Sequence, residues 1–135
     1  MHFKEEIIIN VKANVVFEKY KNVILWREWD SDVKESSLSG EFKTGSSGTL
    51  VPEKGPKAKF KLTEVTLNKS FTSQTKLPFC IMTFSHKLEN IGTSTKVIHS
   101  VSFSGITSFI FSKLIGKPIK KSFPNTLKKL KSVCE

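Results

Sequence analysis

Apolar residues recur at every second position through most of this chain and at helical spacing near its end, and these two periods divide it into elements. Phe3 to Val11 alternates in part and is rich in isoleucine. It predicts a first strand with Phe3, Glu5, Ile7, Ile9 and Val11 on one face. Asn14 is a candidate helix N-cap, followed by Val15, Val16, Phe17 and Tyr20. A second short helix is expected over Val23 to Trp29, ended by Trp26, Trp29 and the acidic Asp30–Asp32. From Val33 to Gly105 the pattern is strand and turn, punctuated by Gly40, Gly45–Gly48, Pro52–Pro56, Asn68, Pro78 and Asn90–Gly92. Segments of roughly five to eleven residues lie between, as in a meander. Lys57 to Leu62 alternates strictly, with apolar residues inward and lysines outward. Met82, Phe84, His86 and Leu88 share one face, as do Val97, His99, Val101 and Phe103. Beyond Gly105 the period becomes helical as far as Lys131. Phe111, Ile115, Ile119, Phe123, Leu127 and Leu130 fall in one arc, and Lys113, Lys117, Lys120, Lys121, Lys128 and Lys131 in the opposite one. Pro118 and Pro124 each remove a donor from this helix and should bend or split it.

The predicted order is one strand, two short helices, six strands and a long helix. It defines an α+β domain with a curved antiparallel sheet of six to seven strands around the C-terminal helix. With no repeat and no linker, the expectation is one domain over residues 1–135. Several pieces also resemble a known family. Trp26-Arg27-Glu28-Trp29-Asp30 resembles the W-x-x-W-D/N stretch after the first helix of the START-like superfamily. Gly40 to Gly45 followed by Gly48-Thr49-Leu50 is similar to its glycine-flanked hairpin. Phe84 to Glu89, Gly92-Thr93 and His99 to Gly105 resemble the last two strands of its polyketide cyclase/dehydrase and lipid-transport (SRPBCC) group. Leu114 to Ile119 and Phe123 to Leu127 resemble that group's terminal helix. The likeness spans nearly the whole chain. It implies a helix-grip fold, and a function among ligand carriers and aromatase/cyclases; fold transfers better than activity.

Composition narrows the function classes. Among 135 residues, 22 are Lys or Arg and 12 are Asp or Glu, a net charge of +10 that favours anionic surfaces and acidic partners. Only Arg27 is an arginine. Specific base readers rely on the guanidinium fork, so no specific nucleic-acid partner is expected. The lysine arc is either the solvated back of an amphipathic helix or a site of peripheral contact with anionic membrane. Cys80 and Cys134 are far apart and form neither a disulfide framework nor a zinc motif. No apolar run approaches membrane-spanning length, and the N-terminus lacks a signal layout, so a cytoplasmic protein is expected.

Three candidate activities follow. The leading one is binding, possibly transport, of an apolar or amphipathic small molecule between sheet and helix. The ligand-binding set is Trp26, Phe60, Leu62, Phe71, Met82, Phe84, His86, His99, Val101, Phe103, Phe111, Ile115 and Phe123. The second is an aromatase/cyclase- or dehydratase-like enzyme using His86 or His99, the catalytic candidates, as acid or base. No tyrosine or arginine is evident among the strands to assist them. The third is a protein-interaction module with a filled core. Strand parity turns both histidines inward on adjacent strands, where burial should hold both pKa values down. Tyr20 or Trp26 could rim an entrance, and Asp30 or Asp32 could serve as an acid, although carboxylates after a helix are commonly turn formers. No metal is expected, because two histidines without a third ligand are too few. No cofactor is expected either, since nucleotide, nucleophile-elbow and zinc-protease motifs are absent.

Overall fold

The computed structural model describes residues 2–135. Seven strands form one antiparallel sheet: β1 (His2–Ile9), β2 (Val33–Ser39), β3 (Ser47–Pro52), β4 (Ala58–Thr66), β5 (Ser70–Leu77), β6 (Cys80–Ile91) and β7 (Ser94–Ser104). Their spatial order is β1-β7-β6-β5-β4-β3-β2, so β1 crosses over to pair with β7 while the others follow as a meander. Helix α1 (Ala13–Lys21) and a 3₁₀ helix (Val23–Glu28) fill the crossover. The C-terminal helical run comprises α2 (Ser108–Phe111), a π turn (Ser112–Gly116) and α3 (Lys117–Cys134).

The architecture is the expected helix-grip fold, with local differences at element ends. Strand β1 stops at Ile9; Val11 lies beyond it and packs on the core, and Glu5 is exposed. Helix α1 begins at Ala13, not after Asn14, and Lys12 occupies the cap position without a side-chain bond. The burial of Ala13, Val16, Phe17 and Tyr20 therefore sets the start of this helix in place of a polar cap. The second short helix is a 3₁₀ helix, tied down by Trp26 Nε1 donating to the Tyr20 carbonyl at 2.9 Å and Ser36 Oγ donating to the Val23 carbonyl at 2.6 Å.

Pro118 does not split the terminal helix. In an α ladder its nitrogen would address the Leu114 carbonyl, and its ring would collide there. The π turn immediately before it absorbs that conflict. Pro124 sits inside α3 without ending it. Gly48 on β3 allows a close approach: a Cβ there would collide with the Phe60 ring and the Ser37 carbonyl.

The interior has two parts. The larger gathers Ile9, Val16, Phe17, Tyr20, both tryptophans, Phe60, Leu62, Phe71, Val97, Leu127 and Leu130. The smaller gathers Phe3, Cys80, Val101, Phe103 and Phe123, with half-buried Leu77, Met82, Phe84, Phe111, Ile115 and Ile119 around them.

Candidate functional site

Strand register brings the histidines together. Phe71 pairs with His86 across β5 and β6, and His86 pairs with His99 across β6 and β7. Both rings point into the interior and meet edge to face with centroids 4.5 Å apart. His86 stacks on Phe71 at 3.8 Å, and its Nδ1 lies 3.2 Å from the Phe71 carbonyl oxygen. A carbonyl only accepts, so Nδ1 carries the proton and Nε2 is left as an acceptor. His99 Nε2 lies 2.7 Å from the hydroxyl of Tyr20, which α1 delivers from the opposite side of the core. Burial pushes the His86 imidazole down to about 3. Burial, reinforced by nearby His86, holds His99 well below its ordinary value. Burial, with a smaller contribution from Cys134, raises the Tyr20 phenol. All three groups are therefore neutral at physiological pH. Tyr20 and His99 form a buried hydrogen-bonded pair, and His86 adjoins His99 through an edge-to-face ring contact.

Tyr20 is the member that strand parity does not reveal, because it lies on a helix. Its helical spacing from Val16 and Phe17 was the available signal. Neither Tyr20 nor Trp26 rims an entrance; both are buried, and Trp26 stacks between Phe60 and Phe71. Asp30 is half-buried beneath α3. Burial pushes its carboxyl up to about 6, the Asp32 N–H donating to Oδ1 counteracts this, the Asp32 charge adds to the rise, and Lys129 opposes it. Asp32 accepts a hydrogen bond from Ser122 of α3 and so ties the helix to the start of β2. These aspartates join elements and do not adjoin the histidines by any hydrogen bond among the described residues.

The thirteen expected ligand residues divide between the two parts of the interior. Trp26, Phe60, Leu62 and Phe71 belong to the larger, closed part. Val101, Phe103 and Phe123 are buried in the smaller part, while Met82 and Phe84 on the sheet and Phe111 and Ile115 on the helical run are half-buried there. His86 and His99 join the two: Phe84 lies 6.2 Å from His86, and Phe123 lies 6.4 Å from His99, between ring centroids. The histidines themselves are sealed, at 7% and 2% exposure. Three buried polar atoms have no hydrogen-bond partner among the described residues: Trp29 Nε1, Ser112 Oγ and Thr126 Oγ1. Two clefts open elsewhere. One of about 400 Å³ lies between α1 and the 3₁₀ helix, lined by charged residues such as Glu18, Lys21 and Glu28. Another of about 370 Å³ lies beside Phe79, Ile81 and Gly105. Among the described residues no three His, Cys, Asp or Glu side chains are grouped to hold a metal ion.

The whole chain, residues 1–135, matches the family model described as polyketide cyclase / dehydrase and lipid transport. No curated protein sequence matches it. Solved structures similar to it include hypothetical protein jhp0584 from Helicobacter pylori, with a TM-score of 0.81 at 11% identity, covering 100% of this chain and 88% of that one. The Zhui aromatase/cyclase from Streptomyces sp. R1128 is similar at a TM-score of 0.78 and 8% identity, over 99% and 93% of the two chains. Ara h 8.0201 is similar at 0.76 and 13% identity, over 99% and 97%. At such identities the likeness carries the fold alone.

Proposed function

Given that this chain belongs to the polyketide cyclase / dehydrase and lipid-transport family, we propose that it binds an apolar or amphipathic small molecule between its sheet and its terminal helix, with transport of that molecule as one use of such binding. The observation that carries this reading is the incompletely buried apolar cluster at one end of the interior. Met82 and Phe84 from β6 there accompany Phe111, Ile115 and Ile119 from the helical run, all half-buried around Val101, Phe103 and Phe123. Covering this surface with an apolar guest would contribute roughly 25 cal/mol per Å² of area removed from water. The larger core beside it is closed and supplies the rigid wall. Unpartnered Ser112 Oγ supports the reading, because a buried hydroxyl without a partner favours a guest with a polar group. The exposed lysines of the helical run supply the positive face that peripheral contact with anionic membrane requires, and a cytoplasmic site of action belongs to the same proposal.

The test is native-state mass spectrometry of the purified protein together with uptake of anilinonaphthalene sulfonate. A retained guest, or dye uptake that Ile115→Trp blocks while the thermal transition persists, is expected. A folded protein with neither guest nor dye uptake overturns the proposal in favour of the filled-core interaction module.

A second reading has one observation in its favour. The Tyr20–His99 hydrogen bond, with His86 packed against His99, would suit an aromatase/cyclase- or dehydratase-like step in which one imidazole acts as acid or base and the phenol supplies the donor that the strands lack. It requires that a guest reach His86 Nε2 past Phe84. Unchanged turnover of an identified substrate by His86→Ala and His99→Ala would dispose of it.

A further inference from the structure

We propose that the end of the molecule formed by the Pro78–Phe79 turn and the Gly105–Leu114 segment inserts into the interface of an anionic membrane. This rests on the reading of the helix lysines as a membrane-facing surface, and goes beyond it by naming the residues that enter the bilayer.

The first observation is an apolar patch with no partner. Phe79, Ile106, Phe109 and Leu114 are 78%, 80%, 65% and 69% exposed, and Ile110 is nearly half exposed. They form one surface, because Thr107 donates both its N–H to the Phe79 carbonyl and its hydroxyl to the Pro78 carbonyl. Scattered exposed apolar residues are ordinary, but a contiguous set of this kind marks an interaction site.

The second observation is strain at its tip. Phe79 has a φ of 56°, in the left-handed region. It is the second residue of a two-residue turn that begins with proline, a place where glycine or asparagine is normally found. A bulky aromatic held there and pointed at solvent costs stability and returns no packing.

The third observation is charge. From Val65 to Cys134 the chain carries eleven lysines and a single acid, Glu89, which lies toward the far end of β6. Lys76 flanks the turn, and Lys113 and Lys117 lie three residues beyond Ile110 and Leu114 on the helical surface. Aromatic and aliphatic tips ringed by lysine match the boundary between acyl chains and anionic headgroups. A second copy of this chain would bring lysines against lysines, which disfavours self-association through this face.

The experiment is co-sedimentation with vesicles of phosphatidylcholine and phosphatidylserine, against vesicles of phosphatidylcholine alone, at low and raised salt. Binding to the anionic vesicles, weakened by salt, is expected. Phe79→Asn combined with Phe109→Ser should lower partitioning about tenfold or more. Phe79→Asn alone should not lower the thermal midpoint, since asparagine tolerates the turn, so lost binding cannot be ascribed to unfolding. Lys113→Glu with Lys117→Glu should also weaken binding. If the lysine variants lose binding while the Phe79/Phe109 variant keeps it, contact is electrostatic only and insertion is overturned. If the wild-type protein fails to sediment with anionic vesicles at low salt, both insertion and the lysine reading fail. Dimers in light scattering that dissociate on Phe109→Ser would likewise overturn the proposal. Dye uptake into the interior is a separate measurement and is expected to survive every one of these substitutions.

Discussion

Tyr20, His86 and His99 place three titratable groups in the interior, and their neutrality has consequences for stability. Both histidines are held down in the folded protein, so the unfolded chain takes up protons first as pH falls through about 6.5. Stability is fully present above that value and is lost below it. Asp30 acts in the opposite sense: its carboxyl is raised from 3.8 to about 6, so the folded state takes up that proton first and gains stability in this range. Two histidines outweigh one aspartate, so stability should fall on acidification below about pH 6, and the lowered Glu64 and Glu135 carboxyls add to the loss as their own range is reached. Urea unfolding at a series of pH values checks this, and stability that rises on acidification would contradict it. Asp30→Asn should steepen the loss, because it removes the opposing contribution. Tyr20→Phe keeps the ring packed on Phe71 and Trp29 but takes the hydroxyl from His99. It should cost about 1–3 kcal/mol through the nitrogen left unsatisfied, measured by the same unfolding curves. The histidines were legible in the sequence because strand parity fixes which way a side chain points. Tyr20 was not, because its partner lies 79 residues away and only the folded chain joins them.

Among the elements, β6 carries the most informative comparison. Its alternation set Met82, Phe84, His86 and Leu88 inward, and all four are buried or half-buried, while Lys87 is exposed. Phe84 nevertheless borders the half-buried cluster, whereas Leu62 on β4 is fully enclosed. Phe84→Ala should therefore destabilise by less than the about 3–5 kcal/mol of an enclosed phenylalanine, and Leu62→Ala by about 2–5 kcal/mol. Lys87→Ala should stay within about 0.5 kcal/mol. Thermal melts of the three variants decide the order, and equal effects at Phe84 and Lys87 would refute the assigned faces. Strand faces were readable because a period of two leaves one alternative. The helix ends were less so. Asn14 carried the usual cap signal, but the four buried residues of α1 start the helix two residues earlier, with Lys12 at the cap. Pro118 signalled an interruption without saying what kind. A π turn keeps the run continuous, with Phe111 and Ile115 on one side of Pro118 and Phe123 on the other all in the same apolar cluster.

At the scale of the whole molecule, the sequence could not say whether the space between sheet and helix is filled, because the same apolar residues serve a packed core and a lined cavity. In the folded chain the side chains around Tyr20 and Trp26 are enclosed, whereas Phe84 and Ile115 are half-buried, and the two clefts described above lie elsewhere. Local stability should follow the same division. In the last turns of α3, Leu127 and Leu130 are fully enclosed against the larger core, and Ser122 anchors the helix to Asp32. In the first turns, Phe109, Ile110 and Leu114 face solvent, α2 is four residues long, and none of its residues is buried. Amide exchange reports such differences, because local opening requires only the contacts of the segment that opens. Amides of Phe109 to Gly116 should exchange markedly faster than those of Leu127 to Lys131, although one helical run contains both. A guest held between β6 and the helical run would add contacts to the first segment and few to the second. Binding should then slow exchange at residues 109–116 and at Met82 and Phe84, and leave residues 127–131 nearly unchanged. Hydrogen–deuterium exchange followed by mass spectrometry, with and without anilinonaphthalene sulfonate, measures both halves of this expectation. Uniform protection along the helical run before binding, or protection by the dye confined to the charged cleft near Glu18 and Trp29, would place the guest site elsewhere.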